Sequence, residues 1–161
     1  MTIAVGDRLP EAKFKTVTPD GLGDIDTKTL CEGKKVVLFA VPGAFTPTCN
    51  AKHLPSFVQH YDAIRAKGVD TIACVAVNDA FVLDAWRKTQ EGGDRITMLS
   101  DGNGTFTEAL GLSFDGSMAA LGKRSKRYAM IVDDGIVQFL AVEEAPPMME
   151  VSGADKVLAA L

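Results

Sequence analysis

The chain has 161 residues, 47% of them hydrophobic and 24% charged, with a net charge of −4, enough for one domain with its own core over residues 1–161. Lys123, Arg124, Lys126 and Arg127 form the one basic cluster. It is too short for a nucleic-acid footprint, and no run approaches the roughly 18 apolar residues of a membrane span.

The first ten residues lack both a basic start and an apolar stretch of the secretory type, so a cytoplasmic protein is expected. Residues 14–17 and 21–26 predict a small N-terminal hairpin. Cys31 follows at a helix end or loop, where a structural role is expected. Residues 35–41 are nearly continuously apolar, as a strand covered on both faces is, and Pro42-Gly43 stops it. Leu54, Phe57, Val58, Tyr61 and Ile64 then fall on one helical face that ends at Gly68. Pro55 lies inside that pattern and predicts a kink there.

Residues 71–77 predict a second buried strand, with Cys74 in its middle. Asn78 or Asp79 can cap the next helix, whose inward face is read as Phe81, Val82, Ala85 and Trp86. Residues 95–99 predict a third strand and 105–110 a short helix. Residues 128–132 and 136–142 alternate about Asp134-Gly135, a hairpin signal. Ser152 with Asp155 has the form of a capping box before a last helix that turns Val157, Leu158 and Leu161 inward. This order predicts an α/β protein: a central mixed sheet, parallel first and antiparallel last, with helices on both faces and the small N-terminal hairpin. The layout resembles the thioredoxin-like fold. Sites in such sheets form at the carboxyl ends of the strands, and the segment leading to Cys49 lies at such an end.

That segment is Pro42-Gly43-Ala44-Phe45-Thr46-Pro47-Thr48-Cys49. Cys49 is placed in the first turn of a helix, where amide N–H groups without partners favour an anion. A helix N-terminus and a nearby cation are what turn an ordinary thiol into a reactive thiolate. Thr46, three residues earlier, can turn its hydroxyl toward Cys49, and Pro42 and Pro47 stiffen the loop. Position alone leaves Cys49 either a nucleophile or a small buried hydrophobe. Three cysteines without a CxxC pair make neither a disulfide framework nor a zinc site. His53, four residues on, can share a face with Cys49, but two ligands do not make a metal site. A solvated or hydrogen-bonded histidine is the expectation; His60 has no partner in view.

The pattern Pro42-x-x-x-Thr46-x-x-Cys49 resembles the signature of the peroxiredoxin family. The run 41–49, with Lys52-His53-Leu54-Pro55-x-Phe57, is similar to the type II (atypical) members. So are Val77-Asn78-Asp79-x-Phe81-Val82, Trp86, Arg124-Ser125-x-Arg127-Tyr128 and Val132-Asp133-Asp134-Gly135. The resemblance implies a thiol peroxidase for hydrogen peroxide and alkyl hydroperoxides, working without a cofactor or metal. Cys49 would be the attacking sulfur, oxidised to a sulfenic acid. Thr46 would bond the peroxide, Arg127 would bring its guanidinium to the sulfur, and Pro42 would shield it. The amides of Thr48 and Cys49 would hold the peroxide oxygens, while Arg124 is read as structural. Phe45, Leu112 and Phe114 would line the entrance, unless Phe45 and Phe114 pack the core or an interface.

The sulfenic acid must be reduced or it overoxidises. Cys74 is one resolving candidate. Its mid-strand position argues for local unwinding before any bridge with Cys49 could form. The resemblance therefore points to glutaredoxin and glutathione, or thioredoxin, as reductant, with Cys74 auxiliary. It also implies a homodimer formed through Thr46-Pro47, Phe81 and residues 111–117. A peroxide sensor or relay using the same cysteine is the alternative, and a non-catalytic interaction module a third.

Overall fold

The computed structural model describes residues 2–161. Strands β1 (Lys13–Thr18) and β2 (Gly21–Asp26) form the N-terminal hairpin, and Asp26 then caps α1 (Thr27–Cys31) by accepting the Thr29 N–H at 2.7 Å. Next come β3 (Lys35–Ala40), α2 (Leu54–Gln59), α3 (Tyr61–Ala66), β4 (Thr71–Ala76), α4 (Ala80–Lys88) and β5 (Thr97–Ser100). After α5 (Thr105–Leu110), the chain forms β6 (Ser113–Asp115), β7 (Lys123–Ser125), β8 (Tyr128–Asp133), β9 (Ile136–Val142) and α6 (Ala154–Ala160).

The main sheet has the order β2-β1-β5-β4-β3-β8-β9, with β3, β4 and β5 parallel and the rest antiparallel. This is the expected thioredoxin-like layout. The N-terminal hairpin is not separate from it: β1 pairs with β5 and extends the sheet edge. Strands β6 and β7, unforeseen in the sequence, make a small second sheet.

Each strand's alternation divides the core in two. On one face Val37, Phe39, Cys74, Ala76, Ala129 and Ile131 pack under α2, α3, α4 and α6. On the other, Leu38, Ala40, Ala73, Val75, Tyr128 and Met130 pack with α1 and α5. Asp134 and Gly135, both with positive φ, close the β8–β9 hairpin as expected.

Several local expectations are corrected. The disturbance attributed to Pro55 falls just before it, as a π turn over Cys49–His53 in which the Leu54 N–H donates to the Cys49 carbonyl. Proline has no N–H and its ring crowds the carbonyl four residues back, which a widened turn relieves. A second break, at His60, separates α2 from α3. In α4 the buried residues are Ala80, Leu83, Asp84 and Trp86, while Phe81 is 64% exposed. Of the four residues read as inward, only Trp86 is buried. Asp79, not Asn78, is the cap, accepting the Val82 N–H at 2.9 Å. Ser152 does not cap α6; its hydroxyl is turned to Glu143 at 2.6 Å.

Candidate active site

The pairing of β3 with β8 builds the site. Ala40 at the end of β3 lies opposite Tyr128 at the start of β8. The loop and helix leaving β3 therefore meet the residue entering β8, Arg127. By alternation Arg127 shares the face of Ala129 and Ile131, the face that α2 covers.

The loop 42–48 is tied down on several sides. The Ala44 N–H donates to Asn78 Oδ1 at 2.9 Å, and Ser100 Oγ holds the Asn78 carbonyl at 2.6 Å. Thr46 Oγ1 donates to the Gly43 carbonyl at 2.6 Å, which leaves its lone pairs as acceptors for an incoming O–H. Arg124 lies across the loop, its Nε on the Leu121 carbonyl at 2.9 Å and its Nη1 on the Pro42 carbonyl at 3.4 Å. A Cβ on Gly43 would stand 2.8 Å from that Nη1, so a larger residue there would push the Arg124 guanidinium aside. Phe45 sits at φ 65° and is 51% exposed; strain of this kind in a bulky residue collects at functional loops.

Cys49 follows in the first helical turn, fully buried. The Asn50 N–H to Thr46 carbonyl bond, 2.9 Å, comes after the amides of Thr48 and Cys49, which have no acceptor within the helix. Asn50 Oδ1 receives Trp86 Nε1 and Gln90 Nε2, each at 3.0 Å, fixing this turn on α4.

Arg127 is 2% exposed, and its guanidinium donates four bonds. Nη2 reaches Cys49 Sγ at 3.1 Å and the Pro146 carbonyl at 3.0 Å. Nε meets the same carbonyl at 3.1 Å, and Nη1 meets His53 Nδ1 at 2.9 Å. Among the described residues no carboxylate forms an ion pair with it. A buried cation surrounded by neutral acceptors is costly. The guanidinium turns one of its N–H groups and its positive charge directly onto the Cys49 sulfur.

His53 is buried against Phe39 and Phe57, with Nε2 2.9 Å from the Ser152 carbonyl. Arg127 can only donate and Ser152 O can only accept, so His53 is the neutral tautomer with its proton on Nε2. Burial, and then the Arg127 charge, push its pKa down to about 3. The unfolded chain takes that proton near pH 6.5. Between those values the unfolded state binds more protons, so stability falls as the pH drops below 6.5. Urea unfolding should show about 2 kcal/mol less stability at pH 5 than at pH 7, a loss that His53→Gln removes. An equal loss in His53→Gln would discard this assignment.

The other candidates divide. Cys74 points from mid-β4 into the same core face, fully buried. Burial, then the neighbouring Cys49, raise its pKa well above the ordinary thiol value, with Arg127 opposing. Burial also pushes Cys31 up to about 11, the structural role expected of it. Pro42 is buried beside the loop, and Thr48 Oγ1 donates to the Pro147 carbonyl at 2.9 Å. Leu112 is corrected: it is 2% exposed in the core under the opposite sheet face and lines no entrance to Cys49. Phe114 lies on the β6–β7 arm, partly exposed.

Sequence reasoning missed Glu143. Its backbone N–H extends the β8–β9 ladder to the Arg127 carbonyl at 2.9 Å. Its carboxylate accepts the N–H groups of Glu150, Val151 and Ser152 at 3.0, 2.9 and 2.7 Å. Burial raises its pKa, but these bonds and the Ser152 hydroxyl outweigh it and hold the carboxyl below its usual value. The available signal was its place in the inward phase Phe139, Ala141, Glu143 of β9.

A buried thiol under a buried guanidinium, at the carboxyl edge of a thioredoxin-like sheet, is the arrangement of a thiol-dependent oxidoreductase. A model of the redoxin family matches residues 4–158. Peroxiredoxin-2E, chloroplastic, of Arabidopsis thaliana is 48% identical over 96% of this chain and 68% of its own length. Peroxiredoxin-2C of Oryza sativa subsp. japonica is 44% identical over 99% of this chain and 98% of its own. The crystal structure of reduced Prx3 from Vibrio vulnificus in complex with hydrogen peroxide matches with TM-score 0.94 and 51% identity, covering 99% of each chain. The chain belongs to the redoxin family and, within it, to the atypical peroxiredoxins: it is a thiol-dependent peroxidase.

Proposed function

We propose that Cys49 carries the peroxidase reaction through a sulfenic acid. Its sulfur attacks the nearer peroxide oxygen. An S–O bond forms, the O–O bond breaks with its pair going to the departing oxygen, and that oxygen takes a proton to leave as water or an alcohol. The sulfur is oxidised by two electrons. Negative charge grows on the departing oxygen, and donors fixed in advance lower the barrier most. Arg127, the amides of Thr48 and Cys49, and the Thr46 hydroxyl as acceptor from the peroxide O–H fill these roles, with Pro42 excluding water. The observation that carries the reading is the 3.1 Å bond from Arg127 Nη2 to Cys49 Sγ, both groups buried and, among the described residues, no carboxylate paired with the guanidinium.

One equivalent of hydrogen peroxide should convert Cys49 to a species that dimedone labels at that residue alone. Labelling at Cys31 or Cys74 with Cys49 untouched would sink the assignment.

Reduction is assigned to an external thiol, glutathione with glutaredoxin or else thioredoxin. The first thiol forms a mixed disulfide with Cys49 and releases water; a second thiol displaces the Cys49 thiol. Support comes from Cys74, whose ionised form is strongly disfavoured by burial. We further propose a homodimer: Phe45 and Phe81 stand exposed on the segments following β3 and β4, large apolar groups of the kind that pair at interfaces. A monomer in sedimentation equilibrium at micromolar concentration would remove that part. A reducing compartment such as the cytoplasm fits three cysteines that are all free. Fractionation to an oxidising compartment would contradict it.

A further inference from the structure

We infer that Glu143 is a positioning residue for the peroxidase reaction, setting the Arg127 guanidinium against Cys49 through the segment 144–153. The inference rests on the reading of Cys49 and Arg127 given above.

That segment, between β9 and α6, has no regular structure, yet it delivers three backbone carbonyls to the site. Pro146 O takes Nε and Nη2 of Arg127, Pro147 O takes the Thr48 hydroxyl, and Ser152 O takes the His53 ring. Two of the carbonyls come from successive prolines, whose fixed φ stiffens the run and which have no N–H to offer. Its remaining amides need an acceptor. Glu143, 5% exposed, provides one carboxylate for the three N–H groups of residues 150–152 and for Ser152 Oγ. The same residue's own N–H holds the Arg127 carbonyl. Glu143 thus grips Arg127 at its backbone and, through the segment, at its guanidinium.

The guanidinium depends on this grip because of what it lacks. Among the described residues no carboxylate pairs with it, so its direction is set by Pro146 O and His53 Nδ1. Both acceptors are held by the segment: Pro146 belongs to it, and His53 is oriented by Ser152 O. With those acceptors in place, Nη2 points at Cys49. An arginine left to its own rotamers loses that direction, and a shift of about 1 Å at a reacting centre can cost 10²-fold. A carboxylate suits the position better than an amide. A glutamine keeps one acceptor oxygen but turns an NH₂ toward groups that themselves donate.

The test is single-turnover oxidation of Cys49 by hydrogen peroxide, without reductant, at a temperature where circular dichroism shows each variant folded. Glu143→Ala should slow oxidation by about 10- to 100-fold, and Glu143→Gln should recover part of that loss. The double variant Glu143→Ala/Arg127→Met should be no slower than Arg127→Met alone, since one residue acts through the other. A folded Glu143→Ala reacting at the wild-type rate overturns the proposal, as does full additivity in the double variant. Where Glu143→Ala does not fold, Glu143→Gln and Ser152→Ala decide: a slowing of about 3- to 10-fold supports the role, and wild-type rates in both overturn it. Peroxide consumption by Cys49→Ser is a different failure, because it would remove the underlying assignment of the nucleophile.

Discussion

Arg127→Met should slow the oxidation of Cys49 by hydrogen peroxide about 10²- to 10³-fold, the usual cost of losing one fixed donor at a developing anion. The substitution removes the charged donor that touches the sulfur. Stopped-flow mixing without reductant isolates this step from recycling. Arg127→Lys keeps a charge but not the fork. One ammonium cannot serve Cys49 Sγ, His53 Nδ1 and Pro146 O together in the geometry that the planar group spans. We expect lysine to recover only about tenfold of the loss, since point charge and directed donation are separate contributions. Methionine also strands the buried His53 Nδ1, at about 1–3 kcal/mol for an unsatisfied group, so stability should fall along with rate. The rate must therefore be read on folded protein. A folded Arg127→Met reacting within threefold of wild type would show that the guanidinium is a structural cation and not part of the chemistry.

The pairing of Cys49 with Arg127 was legible because strong local signals bracket it. An apolar run ends at Pro42-Gly43, and an Asp134-Gly135 turn fixes the register of the hairpin that Arg127 enters. What failed depended on which side of an element faces the sheet. In α4, Phe81, Val82, Ala85 and Trp86 make a plausible stripe. The chain instead buries Ala80, Leu83 and Trp86 and leaves Phe81 exposed. Leu112 is near the site in sequence logic, yet it packs beneath the opposite sheet face. Ser152 matched a capping pattern, but a buried carboxylate 9 residues earlier took its hydroxyl. His53 was read as a solvated or hydrogen-bonded histidine and Glu143 was not singled out, because Arg127, 74 residues from the one and 16 from the other, is brought to them by strand pairing.

Cys49→Ser should abolish peroxide-dependent turnover, and Cys74→Ser should leave it within about threefold of wild type, as an auxiliary buried thiol implies. A serine hydroxyl does not ionise at neutral pH and cannot be oxidised to an equivalent of the sulfenic acid, so no residual route is expected at position 49. Cys74 faces a different obstacle. It lies in the centre of a parallel ladder, opposite Phe39 on one side and Met98 on the other, and burial strongly disfavours its thiolate. A bridge between the two sulfurs would need Cα atoms within about 7 Å and matched Cβ directions, and would have to take the Cys49 sulfur off Arg127; we expect that to unwind the turn at Cys49. An external thiol needs only the loop 42–48 to open, a segment held by a few hydrogen bonds and not by a sheet. NADPH-coupled turnover with glutaredoxin and glutathione, run beside thioredoxin, measures both variants. Cys74→Ala serves as a second replacement, since a buried serine hydroxyl carries its own cost of about 1–3 kcal/mol. Loss of turnover in both folded Cys74 variants would move resolution inside the chain, and the turn that carries Cys49 would then have to unwind in every catalytic cycle.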